Sequence, residues 1–166
     1  MKLLVIHKLD KVNQASEFDC GVVALNDFLC TQASQFIKRR ESVLYGAVDM
    51  AHDGRLAGFY TLTATTMIQA DDKALFKKQS PHLPIPCALI GRLAVDVRYQ
   101  GIGLGADLLI HALQTVQAIS GMMGLAFVVV DAKDDAAKRF YEKYGFLQIS
   151  TNPRRLCLAV KSIPAN

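Results

Sequence analysis

The segment Leu93-Ala94-Val95-Asp96-Val97-Arg98-Tyr99-Gln100-Gly101-Ile102-Gly103-Leu104-Gly105-Ala106-Asp107-Leu108-Leu109 holds the strongest structural signal in the chain. Its first residues complete an apolar run, Ala88–Val95, that is typical of a strand. Gly101, Gly103 and Gly105 follow and open an apolar-periodic helix. Glycines at the start of a helix leave backbone N–H groups open to an anion, and the helix dipole adds partial positive charge there. The segment therefore predicts a cradle for a pyrophosphate and, with it, a phosphorylated cofactor.

Two other phosphate-binding motifs fit this segment less well. The Rossmann fingerprint matches Gly101-x-Gly103-x-x-Ala106, with Asp131 at a tolerable distance. However, Asp96–Gln100 separate the strand from the first glycine, and only about sixty residues follow, which is short for a doubly wound domain. A P-loop is excluded because the chain has no Gly-Lys-Ser or Gly-Lys-Thr. Glycines that serve only turns and packing are the remaining alternative, and three alternating ones at a strand-to-helix junction disfavour it.

The composition predicts a single globular domain over residues 1–166. Hydrophobic residues make up 51% of the chain and charged residues 20%, which is unlike a disordered protein. A chain of 166 residues can bury a sizeable core. We expect no membrane span, because no apolar run is long enough, and no signal peptide, because Met1–Lys8 meets charge at once. The net charge of +4 permits a nucleic-acid partner without requiring one.

The cysteines and histidines form no metal-site or disulfide pattern. There is no C-x-x-C pair, and no two histidines have metal-ligand spacing. We therefore expect no metal, free thiols in a reducing compartment and a cytoplasmic protein. Four thiols are expected to fill core space: Cys20, Cys30, Cys87 and Cys157. Four histidines are expected to be structural or exposed, with no carboxylate or thiol at a useful spacing: His7, His52, His82 and His111.

Hydrophobic periodicity predicts a β-α-β-β-β-α-β-α-β-β order. The predicted strands are Met1–Lys8, Val43–Met50, Leu56–Leu62, Ala88–Val95, Leu125–Val130, Phe146–Ile149 and Leu156–Val160. The predicted helices are Val22–Ile37, Gly103–Ile119 and Asp134–Tyr144, and Gly145 has the position of a C-terminal cap. Asp53-Gly54 signals a hairpin, and Gln69–Pro86 is a long loop with room for a short helix. This order predicts an α/β fold with a partly antiparallel, partly parallel sheet.

Two motifs resemble signatures of the GCN5-related N-acetyltransferase (GNAT) family. Gln100–Gly105 is similar to the family's Q/R-x-x-G-x-G/A loop, and Ala137–Phe146 is similar to its A-x-x-F-Y-x-x-x-G-F segment. The two motifs have the order and separation expected of the family. The resemblance implies the GNAT fold, a central mixed sheet flanked by helices, and acetyl-CoA as co-substrate. One departure is visible, because Asp134 stands where many members have asparagine, and we expect it to cap the helix instead.

The resemblance also implies roles for individual residues. The loop amides would hold the pyrophosphate of acetyl-CoA, and the preceding strand would offer backbone groups to its pantetheine arm. The implied cofactor-binding residues are Leu93, Ala94, Val95, Gln100, Gly101, Ile102, Gly103, Leu104, Gly105, Ala106 and Phe140.

Two groups are expected to assist the transfer itself. A backbone N–H near Val95 would polarise the thioester carbonyl. Tyr141 would donate a proton to the leaving thiolate, because a phenol with a pKa near ~10 stays protonated; a packing aromatic is the less favoured alternative. A strong general base is not required, since an α-amine has a pKa of only ~8, although Asp96 is a weak candidate for a proton relay.

A narrower resemblance links the chain to acetyltransferase toxins of bacterial toxin–antitoxin modules. It rests on Phe18–Gly21 with Leu25–Leu29, on Gly58–Leu62, on Gly91–Asp96 and on Val130–Asp134. It implies acetylation of the α-amino group of aminoacyl-tRNA, which blocks translation. It also implies a ribbon-helix-helix antitoxin, repression of operator DNA through the complex of the two proteins, and a homodimer.

Basic residues are the candidate tRNA contacts. They are Arg92, Lys38, Arg39, Arg40, Lys77 and Lys78, with Arg154 and Arg155 as further members of the set. For each residue alone, a solvated surface charge is the better interpretation. One alternative function is acetylation of a protein or small-molecule amine. A non-catalytic CoA-binding or repressor subunit is another, and the presence of Tyr141 counts against it.

Overall fold

The computed structural model describes residues 2–165 and contains seven strands and four α-helices in that range. The strands are β1 (Leu4–Leu9), β2 (Val43–Asp49), β3 (Arg55–Met67), β4 (Ile85–Val95), β5 (Phe127–Asp131), β6 (Leu147–Ile149) and β7 (Asn152–Ala159). The helices are α1 (Val23–Thr31), α2 (Ala33–Lys38), α3 (Leu104–Ser120) and α4 (Asp135–Lys143). The strand order is β1-β2-β3-β4-β5-β7-β6. β4 and β5 run parallel, whereas β1–β2, β2–β3, β5–β7 and β6–β7 are antiparallel, which confirms the predicted mixed sheet.

Local turn chemistry accounts for two of the predicted connections. The connection from β2 to β3 consists of a one-turn 3₁₀ helix, Met50–His52, followed by Asp53 (φ 58°) and Gly54 (φ 70°), which both adopt the left-handed conformation typical of hairpin turns. Gly145 (φ 94°) ends α4, and its N–H donates to the carbonyl oxygen of Glu142 at 3.0 Å. The hairpin and the glycine cap are thus confirmed.

The single helix predicted over Val22–Ile37 is wrong, because the chain forms two helices there. Gln32 separates α1 from α2 with φ −122° and ψ −31°, which is outside the helical range. The apolar periodicity continues through this break because Phe28 and Ala33, from the two helices, are both buried in the same core. A periodic pattern reports which face is buried, not whether the backbone is continuous.

Several strand boundaries also differ from the prediction. β3 continues past Leu62 to Met67, and β4 begins at Ile85, so the predicted loop Gln69–Pro86 is shorter and begins with a one-turn 3₁₀ helix. β7 begins at Asn152, four residues early, because its first residues are polar and exposed and show no apolar alternation. β1 begins at Leu4; the predicted first strand started at Met1, which lies outside the described residues.

The chain divides into two compact units, each built from two segments. The first unit runs from the N-terminus to Thr63 and from Gly91 to Ala112. Its core is aromatic and packs around Phe59, which is fully buried. Phe18 meets Phe59 edge-on at 5.5 Å between ring centroids, and Phe28 stacks on Phe59 at 6.3 Å. This core fixes α1 against β3.

The second unit comprises Ala64–Ile90 and the chain from Leu113 to the C-terminus. Its core includes Met67, Phe76, Ile85, Cys87, Phe127, Val129, Ile149 and Cys157. The rings of Phe76 and Phe127 meet edge-on at 4.9 Å. The turn between β6 and β7 is tied to the segment after β3, because Asp72 Oδ2 accepts the N–H of Ser150 at 3.0 Å.

The cysteines and histidines correct two expectations. All four thiols are free, as predicted, but Cys30 is exposed and does not fill core space. His52 lies beside a carboxylate after all, with its Nδ1 2.7 Å from Asp49 Oδ2. His111 Nδ1 lies 2.7 Å from the hydroxyl of buried Tyr60. Within residues 2–165, no three His, Cys, Asp or Glu side chains are grouped as a metal site would require, and no helix is both long and apolar enough to cross a bilayer.

Candidate functional site

The glycine loop joins β4 to α3 with a backbone that favours glycine at two positions. Gly101 (φ 78°) and Gly103 (φ 84°) are left-handed. A methyl group added at either position would find no protein atom within 4 Å, so the space in front of the loop is open. Gly105 lies inside α3, where an added methyl group would only touch Val95 Cγ2 at 3.9 Å. The first two glycines are therefore required by the backbone, and the third is not.

The backbone N–H groups of residues 101–106 have no protein acceptor in the described part of the chain. The N–H groups that open an α-helix have no intrahelical partner, and the first bond into α3 runs from the N–H of Asp107 to the carbonyl of Gly103 at 3.1 Å. Several convergent donors at a helix N-terminus suit a pyrophosphate. The loop therefore fits the diphosphate of coenzyme A, which the sequence predicts it to hold.

Val95 is the last residue of β4, and its own N–H and carbonyl groups point away from β3. The next N–H, that of Asp96, donates to the carbonyl of Ala57 on β3 at 2.8 Å. Successive N–H groups of an extended chain point to opposite edges, so the N–H of Val95 points to the other edge. On that edge, Gln100 Nε2 donates to the Val95 carbonyl at 2.9 Å and to the Cys20 carbonyl at 3.3 Å. The side chain of Gln100 thus closes the loop onto the strand end.

Tyr141 lies in α4 with its ring buried and its hydroxyl accessible. The residue is 8% exposed, and its ring contacts Phe140 and Phe146 edge-on at 5.3 and 5.5 Å. No protein group in residues 2–165 hydrogen-bonds to the phenol oxygen, which is nevertheless absent from the fully buried polar atoms without a partner. Burial raises the pKa of Tyr141 to about 12. The phenol is thus a protonated donor whose hydroxyl has no protein partner in the described chain and is not completely buried.

Asp134 caps α4, as the sequence predicts. Its carboxylate accepts the N–H of Ala137 at 2.8 Å, which satisfies a donor of the first turn. Phe140, predicted to contact the cofactor, is half-buried and packs against the rings of Tyr141 and Tyr144. Asp134, the residue that departs from the family pattern, therefore has a structural role as the cap of α4.

Arg92 lies on β4 above an aromatic pair. Its guanidinium carbon is 3.6 Å from the ring centroid of Phe28 and 5.6 Å from that of Phe36, which is cation–π geometry. Within residues 2–165, no carboxylate is ion-paired with it. Burial lowers the pKa of Arg92, but an arginine remains charged at neutral pH. The first unit thus holds a half-buried cation with no anionic partner from the described chain.

Lys38, Arg39 and Arg40 are exposed at the end of α2. Arg40 has φ 57°, and the N–H of the following Glu41 donates to the carbonyl of Phe36 at 3.0 Å. Glycine ordinarily takes this left-handed position after a helix, since a side chain there costs roughly 1–2 kcal/mol. The chain therefore has a cationic side chain at a position where the backbone conformation disfavours any side chain.

The other basic candidates lie in the second unit. Lys77 and Lys78 are exposed, with free ammonium groups in the described structure. Arg154 and Arg155 instead form ion pairs: Arg154 Nη1 is 2.7 Å from Asp135, and Arg155 makes two bonds of 2.8 Å to Asp131. These two arginines would have to leave their carboxylates to meet a phosphate.

Sequence reasoning missed Asp49 and the long-range bonds of two buried carboxylates near the glycine loop. Asp96, suggested as a proton relay, is fully buried and bonded to Arg98 and to the N–H of Asp19. Asp49 is also fully buried and accepts the hydroxyl proton of Tyr99 at 2.6 Å. The partners are 50 and 77 residues apart, and no local pattern signals such pairs. Asp96 thus stabilises the loop region and is not free to relay a proton.

Known proteins similar in sequence to this chain are acetyltransferases and toxins. The model of the acetyltransferase (GNAT) family matches residues 12–146. A protein of Mycobacterium tuberculosis named tRNA-acetylating toxin is 30% identical over 158 residues, which is 95% of this chain and 93% of that protein. A probable toxin TacT of Sinorhizobium fredii is also 30% identical, over 96% of this chain and 92% of its own.

Solved structures are similar over the same length. AtaT complexed with acetyl-methionyl-tRNAfMet has a TM-score of 0.87 and 32% identity, with 96% of each chain covered. A mutant AtaT toxin bound to the C-terminus of the antitoxin AtaR and acetyl-CoA has a TM-score of 0.82 and 29% identity, over 96% of this chain and 95% of that one. A KacTA–DNA complex has a TM-score of 0.80 and 29% identity, over 97% and 96%.

Proposed function

Because this chain belongs to the GNAT family of acetyltransferases and is an N-acetyltransferase, we propose that it acetylates the α-amino group of aminoacyl-tRNA and thereby blocks translation as a toxin. The tRNA-acetylating relatives, similar over nearly the whole chain, support this substrate. The use of acetyl-CoA is supported above all by one observation: the backbone N–H groups of residues 101–106 have no acceptor in the described part of the chain. The family model matches residues in both compact units, which supports one GNAT domain over residues 1–166.

The glycine loop is proposed to bind the pyrophosphate of acetyl-CoA through residues 101–106. Gln100 holds the loop in place, and the backbone of Leu93–Val95 pairs with the pantetheine arm like an added strand. Phe140 completes the set through apolar contact. Acetyl-CoA supplies the acetyl thioester when it is bound, and a relative with bound acetyl-CoA supports it as co-substrate.

Two groups of the chain are proposed to act on the reacting atoms. The N–H of Val95 donates to the thioester carbonyl, whose oxygen gains negative charge as the amine attacks the carbon. The carbon–sulfur bond breaks as the new amide bond forms, and Tyr141 donates its hydroxyl proton to the departing sulfur. The amine proton leaves to water, and water returns a proton to Tyr141. The raised pKa of Tyr141 keeps this donor protonated at neutral pH.

The tRNA is proposed to meet the cationic groups that have no anionic partner. Arg92 is preorganised by its stacking on Phe28, and Arg40 is an exposed cation on a left-handed backbone that disfavours side chains. These two residues are the strongest members of the set, which also contains Lys38, Arg39, Lys77 and Lys78. The ion-paired Arg154 and Arg155 are weaker candidates.

Partners follow from the same proposal. A ribbon-helix-helix antitoxin is proposed to neutralise the enzyme and, in complex with it, to repress operator DNA; related structures with an antitoxin and with DNA support the coarser part of this statement. A homodimer and action in the cytoplasm, where charged tRNA is found, complete the proposal.

Labelled acetyl-CoA incubated with the protein and either charged or uncharged tRNA tests the proposed substrate. We expect label only on charged tRNA, and nuclease digestion should release it as an N-acetylaminoacyl adenosine. Label on uncharged tRNA, or on a protein or small amine but not on charged tRNA, contradicts the proposal. Growth arrest on induced expression is the matching cellular result.

Arg40→Gly separates function from stability at the end of α2. Glycine relieves the left-handed backbone, so we expect the free energy of unfolding to rise by about 1 kcal/mol. We also expect weaker tRNA acetylation with a smaller salt dependence, since one phosphate contact accounts for roughly 0.7–0.9 of the logarithmic slope. The Michaelis constants for tRNA at several salt concentrations, with acetyl-CoA saturating, check this.

Gln14→Gly is the matched control for Arg40→Gly. Gln14 is exposed, lies in the same unit and has φ 56°, so glycine relieves the same conformation without removing a positive charge. It should raise stability and leave tRNA acetylation unchanged. Equal tRNA kinetics in the two variants would remove Arg40 from the RNA-binding set.

A further inference from the structure

The short turn between β4 and the glycine loop is fixed by a buried carboxylate at its start. Asp96 precedes the one-turn 3₁₀ helix Val97–Tyr99. Its side chain accepts the backbone N–H and Nε of Arg98 at 2.9 Å, Nη2 of Arg98 at 2.8 Å and the N–H of Asp19 at 3.1 Å. The N–H of Val97 donates to the Asp19 carbonyl at 2.8 Å. The start of the turn is thus bound to the segment before α1.

A second buried carboxylate holds the end of the turn. Tyr99 is 1% exposed, and its hydroxyl donates to Asp49 Oδ2 at 2.6 Å. Asp49 also accepts the N–H groups of Leu3 and Ala51, both at 3.1 Å, and lies 2.7 Å from His52 Nδ1. Burial alone would raise the pKa of Asp49, but these hydrogen bonds hold the pKa well below its ordinary value. The carboxylate is therefore a charged, fully occupied acceptor at the end of β2.

The bond between Tyr99 and Asp49 lies directly before the glycine loop. Only Gln100 separates Tyr99 from Gly101, where the backbone becomes left-handed (φ 78°). α3 fixes the far end of the loop at Leu104. At the near end, Tyr99 is the last residue with secondary structure, and the Gln100 side chain adds its bonds to the Val95 and Cys20 carbonyls. Open amides bind an anion well only when they already converge, because ordering a loop on binding costs affinity.

We infer that the Tyr99–Asp49 pair is a positioning device that orders the cofactor loop for acetyl-CoA. Tyr99 touches neither cofactor nor reacting atoms; it fixes where the amides of residues 101–106 point. The inference rests on the proposed function, because it requires that this loop bind acetyl-CoA.

Tyr99→Phe tests the pair, because it keeps the buried ring and removes the hydroxyl. We expect the Kd for acetyl-CoA, measured by calorimetry well below the melting temperature, to rise about threefold to tenfold. The kcat at saturating acetyl-CoA should stay within about twofold, since no reacting group changes. A lower melting temperature with an unchanged Kd would show a merely structural role and overturn the inference.

Tyr45→Phe is the matched control. Tyr45 lies in the same unit, is half-buried and stacks on Tyr60 at 5.1 Å, but its hydroxyl makes no hydrogen bond within residues 2–165. Its Kd should equal that of the natural protein, and an equal rise in both variants would overturn the inference.

Asp49→Asn gives a second, independent measurement. If the two residues act as a pair, Asp49→Asn combined with Tyr99→Phe should raise the Kd no further than the larger single effect. Fully additive effects would overturn the inference. Absence of acetyl-CoA binding by the natural protein would instead contradict the proposed function, so the two failures are distinguishable.

Discussion

Replacing Tyr141 by phenylalanine is expected to lower the rate of acetyl transfer by about 10²–10⁴-fold, the usual contribution of a positioned general acid. The hydroxyl is the only group that the substitution removes, and it has no protein partner in the described chain to lose. The fold and the Kd for acetyl-CoA should therefore stay unchanged, with the free energy of unfolding within ±0.5 kcal/mol, roughly the range for a change that breaks no contact. Single-turnover rates with charged tRNA and calorimetry with acetyl-CoA measure the two quantities.

The pH profile tests the raised pKa of Tyr141. Because burial raises the pKa of Tyr141 to about 12, its proton remains available well above neutral pH. The rate of the natural protein should rise as the acceptor amine loses its proton, with a midpoint near ~8 or below, and should not fall again below about pH 10. A descending limb near pH 9 that disappears in Tyr141→Phe would contradict the raised pKa.

Tyr144→Phe is the control for this substitution. Tyr144 follows the same helix, is half-buried and packs on the same Phe140 ring. It should retain the natural rate. If Tyr141→Phe also turns over normally, Tyr141 has no part in the reaction and serves only as a packing aromatic.

The features that the sequence predicts well are those that a few adjacent residues decide. The glycine loop before α3, the Asp53-Gly54 hairpin and the Asp134 cap each depend on dihedral preferences or a bond across three residues. Such features can be predicted wherever a backbone conformation has its lowest free energy with glycine or with a short polar side chain. The glycine loop belongs to this class, so its position in the chain could be predicted.

The features that sequence reasoning missed depend on partners far away along the chain. The bond from Tyr99 to Asp49 spans 50 residues and that from Asp19 to Asp96 spans 77. The break at Gln32 contains neither glycine nor proline. Arg40 occupies the left-handed position after a helix that glycine usually takes. The two long-range bonds are tertiary contacts that no local preference reveals, and the dihedrals at Gln32 and Arg40 depart from the local preferences of their residue types.

The glycine loop offers the second large effect, through Gly103→Ala. Alanine at φ 84° costs roughly 1–2 kcal/mol of folding free energy. The chain can avoid this cost only by turning the peptide, which would redirect the N–H groups that follow. If it keeps the peptide, the new methyl group enters the open space before the loop. Either result should raise the Kd for acetyl-CoA at least about tenfold, equivalent to about 1.4 kcal/mol.

Substitutions of two other glycines, Gly105 and Gly54, show whether the loss of acetyl-CoA affinity in Gly103→Ala comes from the loop itself or from general backbone strain. Gly105→Ala keeps a helical backbone and a contact of only 3.9 Å, so we expect natural affinity for acetyl-CoA. Gly54→Ala has the same left-handed strain (φ 70°) and the same open space as Gly103→Ala, but it lies in the hairpin between β2 and β3. It should lose similar stability and no affinity. If Gly54→Ala weakened acetyl-CoA binding as much, or if Gly103→Ala bound it normally, then the amides of this loop would not be the pyrophosphate site.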